Sequence, residues 1–69
     1  IIGDGVWLGE NVCVIGASIG KNSVIGANSI VNKDIPDYCV AIGSPAVIIK
    51  RYNQQTKQWQ KTDKDGQFI

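Results

Sequence analysis

Aliphatic residues return about every sixth position over residues 2–36, and this period organises the first half of the chain. Glycine directly follows four of the six aliphatic positions, and the residue three places after them is Gly, Asn or Asp in five of the six units. These residues enter the left-handed backbone region at the lowest cost, so a corner is predicted at a fixed interval. The chain therefore contains a structural repeat. The six aliphatic positions are Ile2, Leu8, Val14, Ile19, Ile25 and Val31.

Each repeat unit is predicted to be a short strand followed by a corner. Glycine at six-residue intervals opposes a helix, because each Gly costs about 1 kcal/mol in a helix interior. β-Branched residues are dense in this segment and favour strands. Strands this short cannot bury a face alone, whereas stacked coils can bury the aliphatic ladder inside. With three units per coil, the six units predict about two coils of triangular section and an all-β fold.

One unit breaks the period. Residues 14–18 (VIGAS) are one residue shorter than the other units and lack Gly at the second place. Two interpretations of this corner stay open: a harmless change of length, or an edge reshaped for a ligand.

The repeat array is predicted to end at Pro36, because proline cannot donate to a strand ladder. This boundary divides the chain into hexapeptide coils over residues 1–37 and C-terminal strands with a tail over residues 38–69. The polar segment 61–66 is predicted to be mobile.

Aliphatic and aromatic runs predict further strands over residues 38–42 and 47–52. Residues 58–62 can pair back on the second of these, in a β-hairpin that places Tyr52 beside Trp59 as a cross-strand aromatic pair. A short helix over the same residues is the alternative.

Composition excludes several functional classes. With 69 residues, 43% of them hydrophobic, and a net charge of +1, the chain is typical of one small globular domain. Neither a disordered protein nor a strongly nucleic-acid-binding protein is expected at this charge. No apolar run approaches the ~20 residues of a transmembrane helix.

Cys13 and Cys39 are the only cysteines, and the sequence contains no histidine. Two reduced thiols in a cytosolic protein are favoured over a single bridge, since disulfide-dense secreted domains carry more cysteines. Without histidine or a CxxC pair, a zinc site lacks ligands. Because the chain begins with Ile1 inside a repeat unit, we expect a C-terminal piece of a longer protein.

Four motifs together resemble the hexapeptide-repeat acyltransferases. They are the units at residues 2–7 (IGDGVW) and 25–30 (IGANSI), the turn at 32–36 (NKDIP) and the turn at 41–46 (AIGSPA). Within this family the chain is similar to the maltose, galactoside and xenobiotic O-acetyltransferase branch, which includes polysaccharide O-acetyltransferases. The tail after residue 50 is similar to tails of the polysaccharide group.

The resemblance implies a left-handed parallel β-helix, an exception to the usual right-handed crossover. It also implies a homotrimer, acetyl-CoA as acyl donor and a sugar or polysaccharide hydroxyl as acceptor. In the family a histidine acts as general base, since its pKa lies near working pH. That histidine would precede residue 1, so this chain alone is predicted to be inactive and to form the cofactor-binding part of the enzyme.

Five residues match cofactor-contacting positions of the family. The resemblance assigns the pantetheine arm to backbone groups at Ala27, and the adenosine and phosphate end to Asn32 and Lys33. It assigns phosphate contact to Lys50, for which a point charge suffices, and the thioester end to Trp7.

Two positions depart from the family pattern. Glu10 stands where a small polar or apolar residue is usual. Val47 stands where Lys or Arg is frequent, so one phosphate contact is either missing or moved to Lys50 or Arg51.

Simpler interpretations remain open for the cofactor positions. Trp7 at a corner is also consistent with packing over the next coil or subunit. Lys33 followed by aspartate fits an ordinary solvated turn, and Lys50 with Arg51 fits an exposed strand face.

Serine and aspartate residues of the array are not expected to be catalytic. Ser23 and Ser29 lie at the small interior position without a neighbouring base, so we expect them to fill the core. The array's aspartates at positions 4 and 34, and Asp37, are expected to form turns.

Two functions of different classes follow. The first is part of an acetyl-CoA-dependent sugar O-acetyltransferase, and the second is a non-catalytic β-helix module for trimerisation.

Overall fold

A computed structural model describes all 69 residues, which form seven strands and no helix. The all-β prediction is confirmed, and no segment of the chain is a helix long and apolar enough to span a membrane. The strands are β1 (Trp7–Leu8), β2 (Cys13–Val14), β3 (Val24–Ile25), β4 (Ile30–Val31), β5 (Cys39–Gly43), β6 (Ala46–Asn53) and β7 (Gln58–Lys61).

Successive coils stack in parallel on three faces. The first face is built from single bridges that link Ile2 to Ile19 and Ile19 to Ile35. On the second face, β1 pairs with β3 and β3 with β5. On the third face, β2 pairs with β4. Three units therefore make one coil, as the repeat predicts.

The aliphatic ladder forms the core. Ile19, Ile25 and Val31 of the second coil are buried, because coils lie on both sides of most of their length. Ile2 and Leu8 of the first coil are 45% and 46% exposed. Burial of one such aliphatic side chain is worth about 1.5–3 kcal/mol, so the second coil carries most of the hydrophobic stabilisation.

Asparagine and glycine form two of the three columns of corners. Gly5, Asn11, Asn22 and Asn28 all have positive φ angles, of 70°, 61°, 55° and 62°. The Asn11 side-chain amide also donates to Asn28 Oδ1 at 3.2 Å, which links one corner to the next coil. The predicted left-handed corners are confirmed at these four positions.

The third column of corners is different. Neither Ala17 nor Asp34 has a positive φ, and Gly16 adopts 59° instead. Asp34 Oδ1 accepts the Ser18 backbone N–H at 2.9 Å and so fixes this corner on the corner of the coil before it.

Parallel pairing with the coils continues beyond Pro36. Ile35 occupies the interior ladder, and β5 pairs with β3 in parallel, with Val40 opposite Val24. Proline at 36 is tolerated because it lies at a corner between strands. The proposed division at residue 37 stays a prediction, although this pairing joins both segments in one sheet.

The C-terminal hairpin is confirmed and the helix alternative is not formed. Strand β6 pairs antiparallel with β5 on one side and with β7 on the other. Tyr52 lies opposite Trp59, with the two ring centroids 5.5 Å apart in an edge-to-face arrangement.

The last residues form a hydrogen-bonded turn. Asp63 Oδ1 accepts the backbone N–H groups of Asp65 and Gln67, each at 3.0 Å. A bridge between Thr62 and Phe68 closes this turn and returns it to the body of the protein.

Candidate functional site

Ser23 and Ser29 are buried spacers that satisfy backbone groups. The Ser23 hydroxyl donates to the Pro36 carbonyl at 2.9 Å and accepts the Cys39 N–H at 3.2 Å. Ser29 Oγ accepts the Gly43 N–H at 3.0 Å. Both side chains are inaccessible to solvent, which agrees with the prediction that they fill the core.

The outward face of the five-stranded sheet carries Trp7 and Lys50 in one row. Trp7 lies opposite Val24, Val24 opposite Val40, and Val40 opposite Lys50. Residues in register point to the same side of a sheet, and three strand spacings separate the two ends by about 14 Å. Trp7 is 75% exposed, which leaves its ring free for a ligand or a second subunit.

Ala27 lies at the exposed corner between the second and third faces. This corner stacks directly on Gly9, where an added Cβ would lie 2.5 Å from the Ala27 nitrogen. Glycine at position 9 is therefore required for the close backbone approach. The same column continues in the third layer with residues 42 and 43, and it borders the sheet face that carries Trp7.

Asn32 and Lys33 line a cleft of about 310 Å³ at the corner between the third and first faces. Its opposite wall is formed by the turn into β6 and by the C-terminal turn. The lining residues are Asn32, Lys33, Pro45, Ala46, Val47, Lys64 and Asp65. Lys50 and Arg51 are absent from this lining.

Lys64 was missed by the sequence analysis, and it brings a second cation to this cleft. Val47, which stands where Lys or Arg is frequent in the family, lines the same cleft. Lys64 reaches it because the Asp63-centred turn folds the tail back against the last coil. The available signal was the D-x-D-G sequence at residues 63–66, which predicts a turn but not its partner.

Asp34 and Asp37 act as structural acceptors. Asp37 Oδ1 accepts the Lys21 backbone N–H at 2.9 Å, as Asp34 does for Ser18. Each of these carboxylates therefore links its corner to the neighbouring coil.

Both cysteines are free thiols, as predicted from the sequence. Cys13 is exposed on the outside of the third face, whereas Cys39 is buried in the core. Burial raises the pKa of the Cys39 thiol above 9.0, and the nearby Arg51 charge opposes this shift. A thiol held in its neutral form is a poor nucleophile, so Cys39 is not a candidate for catalysis.

Comparison with known proteins finds similar sequences and structures. The sequence profile of the family described as the hexapeptide repeat of succinyl-transferase matches residues 1–33. A galactoside O-acetyltransferase of Lactococcus lactis subsp. lactis is 55% identical over 53 residues, which cover 75% of this chain and 26% of that protein.

Two solved structures are also similar. A galactoside acetyltransferase in complex with coenzyme A has a TM-score of 0.72 and 43% identity, covering 99% of this chain and 33% of that chain. The polySia-specific acetyltransferase NeuO has a TM-score of 0.72 and 51% identity, covering 93% of this chain and 28% of that chain.

The chain spans about a third or less of the length of the proteins it matches. Over the matched part, the chain therefore carries the hexapeptide repeat of these proteins and has the left-handed parallel β-helix fold, in which the stacked coils are followed by a hairpin.

Proposed function

We propose that this chain forms the cofactor-binding part of an acetyl-CoA-dependent O-acetyltransferase that acts on a sugar hydroxyl. The observation that carries this proposal is the agreement, over 99% of the chain, with a galactoside acetyltransferase in complex with coenzyme A. Acetyl-CoA is the corresponding acyl donor. The acceptor hydroxyl loses its proton to a general base and attacks the thioester carbonyl, and the coenzyme A thiolate leaves.

The general base is assigned to a histidine outside these 69 residues, because the chain contains none. The chain's own contribution is to bind and orient the donor. Trp7 is assigned to the thioester end, the backbone at Ala27 to the pantetheine arm, and Lys50 to a phosphate group. The shared sheet face of Trp7 and Lys50 and the adjoining corner at Ala27 support this assignment.

Asn32, Lys33 and Lys64 are assigned to a second phosphate group. A pair of ammonium groups on one cleft offers a diphosphate or a ribose phosphate two positive charges and several donors. In this assignment Lys64 supplies the cation that the family places at position 47. The Asn32 side chain adds an amide that can donate to a phosphate oxygen.

The acceptor is proposed to be a sugar of a polysaccharide, in a homotrimeric cytoplasmic enzyme. The 51% identity to a polySia-specific acetyltransferase over 93% of the chain supports a polymeric acceptor. A trimer is supported by the exposed apolar side chains of Trp7, Ile30 and Ile42, which a neighbouring subunit could cover. The cytoplasm is proposed because acetyl-CoA is made and used there.

A calorimetric titration of coenzyme A into the 69-residue chain tests the cofactor assignment. Lys33→Ala and Lys64→Ala are each expected to weaken binding about five-fold, the loss expected for an exposed charge pair worth about 1 kcal/mol. Lys57→Ala, in the exposed loop between β6 and β7, is the matched control and should leave the affinity unchanged.

Wild-type chain that does not bind coenzyme A would support the scaffold alternative. Binding that is unchanged in both Lys33→Ala and Lys64→Ala would show that the phosphates lie elsewhere.

A further inference from the structure

A second cleft, of about 500 Å³, lies at the corner between the first and second faces. It shares no residue with the cleft of Asn32 and Lys33. Corner residues of the second and third coils form one side of it, and the end of β6 with the loop that follows forms the other. Its lining is Lys21, Asp37, Tyr38, Arg51, Tyr52, Asn53, Gln54 and Phe68.

Tyr38 occupies a backbone conformation that is uncommon for a bulky residue. Its φ is 57°, in the left-handed region, whereas the stacked corners below it use Gly5 and Asn22 at the same place. The first two coils thus place Gly or Asn at this corner, where a positive φ costs little, whereas the third coil places Tyr38 there. Residues held in the left-handed region without Gly or Asn cluster at binding sites, where the strain is tolerated for the side chain.

The Tyr38 ring packs beside Tyr52 and has a cation over it. Its centroid lies 6.1 Å from that of Tyr52, with the two planes tilted by 40°. The Lys21 ammonium lies 5.9 Å from the Tyr38 centroid. Tyr38 therefore has both a cation and a second aromatic ring as neighbours.

Positive charge exceeds negative charge around the cleft. Lys21 and Arg51 are its cations and Asp37 is its only acid, with one Asp37 oxygen already accepting the Lys21 backbone N–H. Arg51 donates to the Gly66 carbonyl through one N–H at 3.5 Å, and a guanidinium has five such donors. Further Arg51 donors are therefore available to a ligand.

We propose that this cleft binds an acidic sugar unit. Tyr38 and Tyr52 pack against the apolar face of the pyranose ring, and Lys21 and Arg51 pair with its carboxylate. Gln54 hydrogen-bonds one of its hydroxyl groups, whereas the Asn53 amide already donates to Gln60 and accepts the Gln55 and Thr56 N–H groups. The proposal of a binding site rests on the geometry of the cleft. Its identification as a subsite that holds a polymeric acceptor rests on the proposed function.

Titration with a galacturonic acid trimer, followed by amide NMR shifts of the 69-residue chain, tests the site. We expect saturable shifts centred on Tyr38 and Tyr52, and at least about tenfold weaker binding of a neutral galactose trimer, since the carboxylate pairing is then lost. No saturable binding of the acidic trimer, or equal binding of both trimers, would overturn the proposal.

Tyr38→Asn separates a binding role from a structural one, because it restores the residue used at the corner below. We expect an unchanged or higher Tm together with at least about tenfold weaker binding of the acidic trimer. Retained affinity would overturn the proposal. Lys21→Gln, at an exposed side chain, is a second variant in case Tyr38→Asn does not fold, and should weaken the acidic trimer alone.

Coenzyme A titrated into the same samples distinguishes this site from the cofactor site. Tyr38→Asn is expected to keep its coenzyme A affinity, and Lys33→Ala its affinity for the acidic trimer. If the chain binds the acidic trimer but not coenzyme A, the sugar site is supported and the proposed transferase function is refuted. If the chain binds coenzyme A but not the acidic trimer, only the proposed sugar site is refuted.

Discussion

Ser23→Ala tests whether the serine ladder is structural. Ser23 is inaccessible to solvent, and its hydroxyl bridges two segments that are far apart in sequence, the Pro36 carbonyl and the Cys39 N–H. Alanine removes both hydrogen bonds but leaves almost the same packing volume. The substitution therefore isolates the polar contribution of this residue to the stacking of the third coil on the second.

The expected loss is set by the Cys39 amide. Two hydrogen bonds contribute about 1 kcal/mol each, and a buried N–H left without a partner costs about 1–3 kcal/mol. We therefore expect Ser23→Ala to lower the free energy of unfolding by about 2–3 kcal/mol. For a domain of this size, 1 kcal/mol shifts Tm by about 4–8 °C, so the shift should be about 10–20 °C.

Urea unfolding followed by far-UV circular dichroism measures this difference, with unchanged m-values as the check on two-state behaviour. Ser29→Ala, which removes one bond to Gly43, should give about half the effect. Ser18→Ala, at an exposed side chain, is the control and should stay within about 0.5 kcal/mol of wild type. A Ser23→Ala loss no larger than that of the control would refute the structural role.

Three other outcomes are expected. Gly20→Ala should prevent close stacking of the coils, because its Cβ would meet the backbone of the next corner. In Gly16→Ala the Cβ meets no atom within 4 Å, so urea unfolding should show only the smaller loss of stability that comes from the positive φ at this position. Cys13 should react with Ellman's reagent at neutral pH, and Cys39 only after unfolding. Because burial raises the pKa of the Cys39 thiol in the folded state, the free energy of unfolding should fall as the pH rises past 9.0. A free energy of unfolding that stays constant above this pH would contradict the linkage. Trp59→Ala should cost about 1–3 kcal/mol by removing the edge-to-face pair and its buried area, measured by thermal unfolding; no change would show that the hairpin is held by its backbone alone.

Local chemistry made the coils predictable. The aliphatic ladder, the Asn and Gly corners and the Tyr52–Trp59 pair each depend on residues within about one repeat or one hairpin. Periodicity therefore identifies them without knowledge of distant contacts. Pro36 shows the limit of this reasoning: Pro is incompatible with a ladder position, but the sequence does not show that it lies at a corner, with parallel pairing resuming after it.

The clefts were not predictable because they join segments that are distant along the chain. Lys33 meets Lys64 only after the tail has crossed β6 and turned at Asp63. Lys21 and Arg51 line one cleft because β6 pairs with β5, which stacks on β3. No sequence spacing relates the two members of either pair, so only the tertiary structure shows that they line the same cleft.

We propose that the irregular unit at residues 14–18 forms a ligand edge and is not a neutral change of length. The step along the ladder takes five residues from Val14 to Ile19 and four from Val31 to Ile35, so the third column of corners tightens twice. Both tight corners lie in the column that carries Asn32 and Lys33. The Asp34 bond to the Ser18 N–H clamps the two corners together directly beside Lys33. Lys33 at this corner lines the cleft that Val47 and Lys64 also line. The other two columns keep their left-handed Asn or Gly corners in the first two coils, so the departure is confined to the corner with the proposed phosphate cleft.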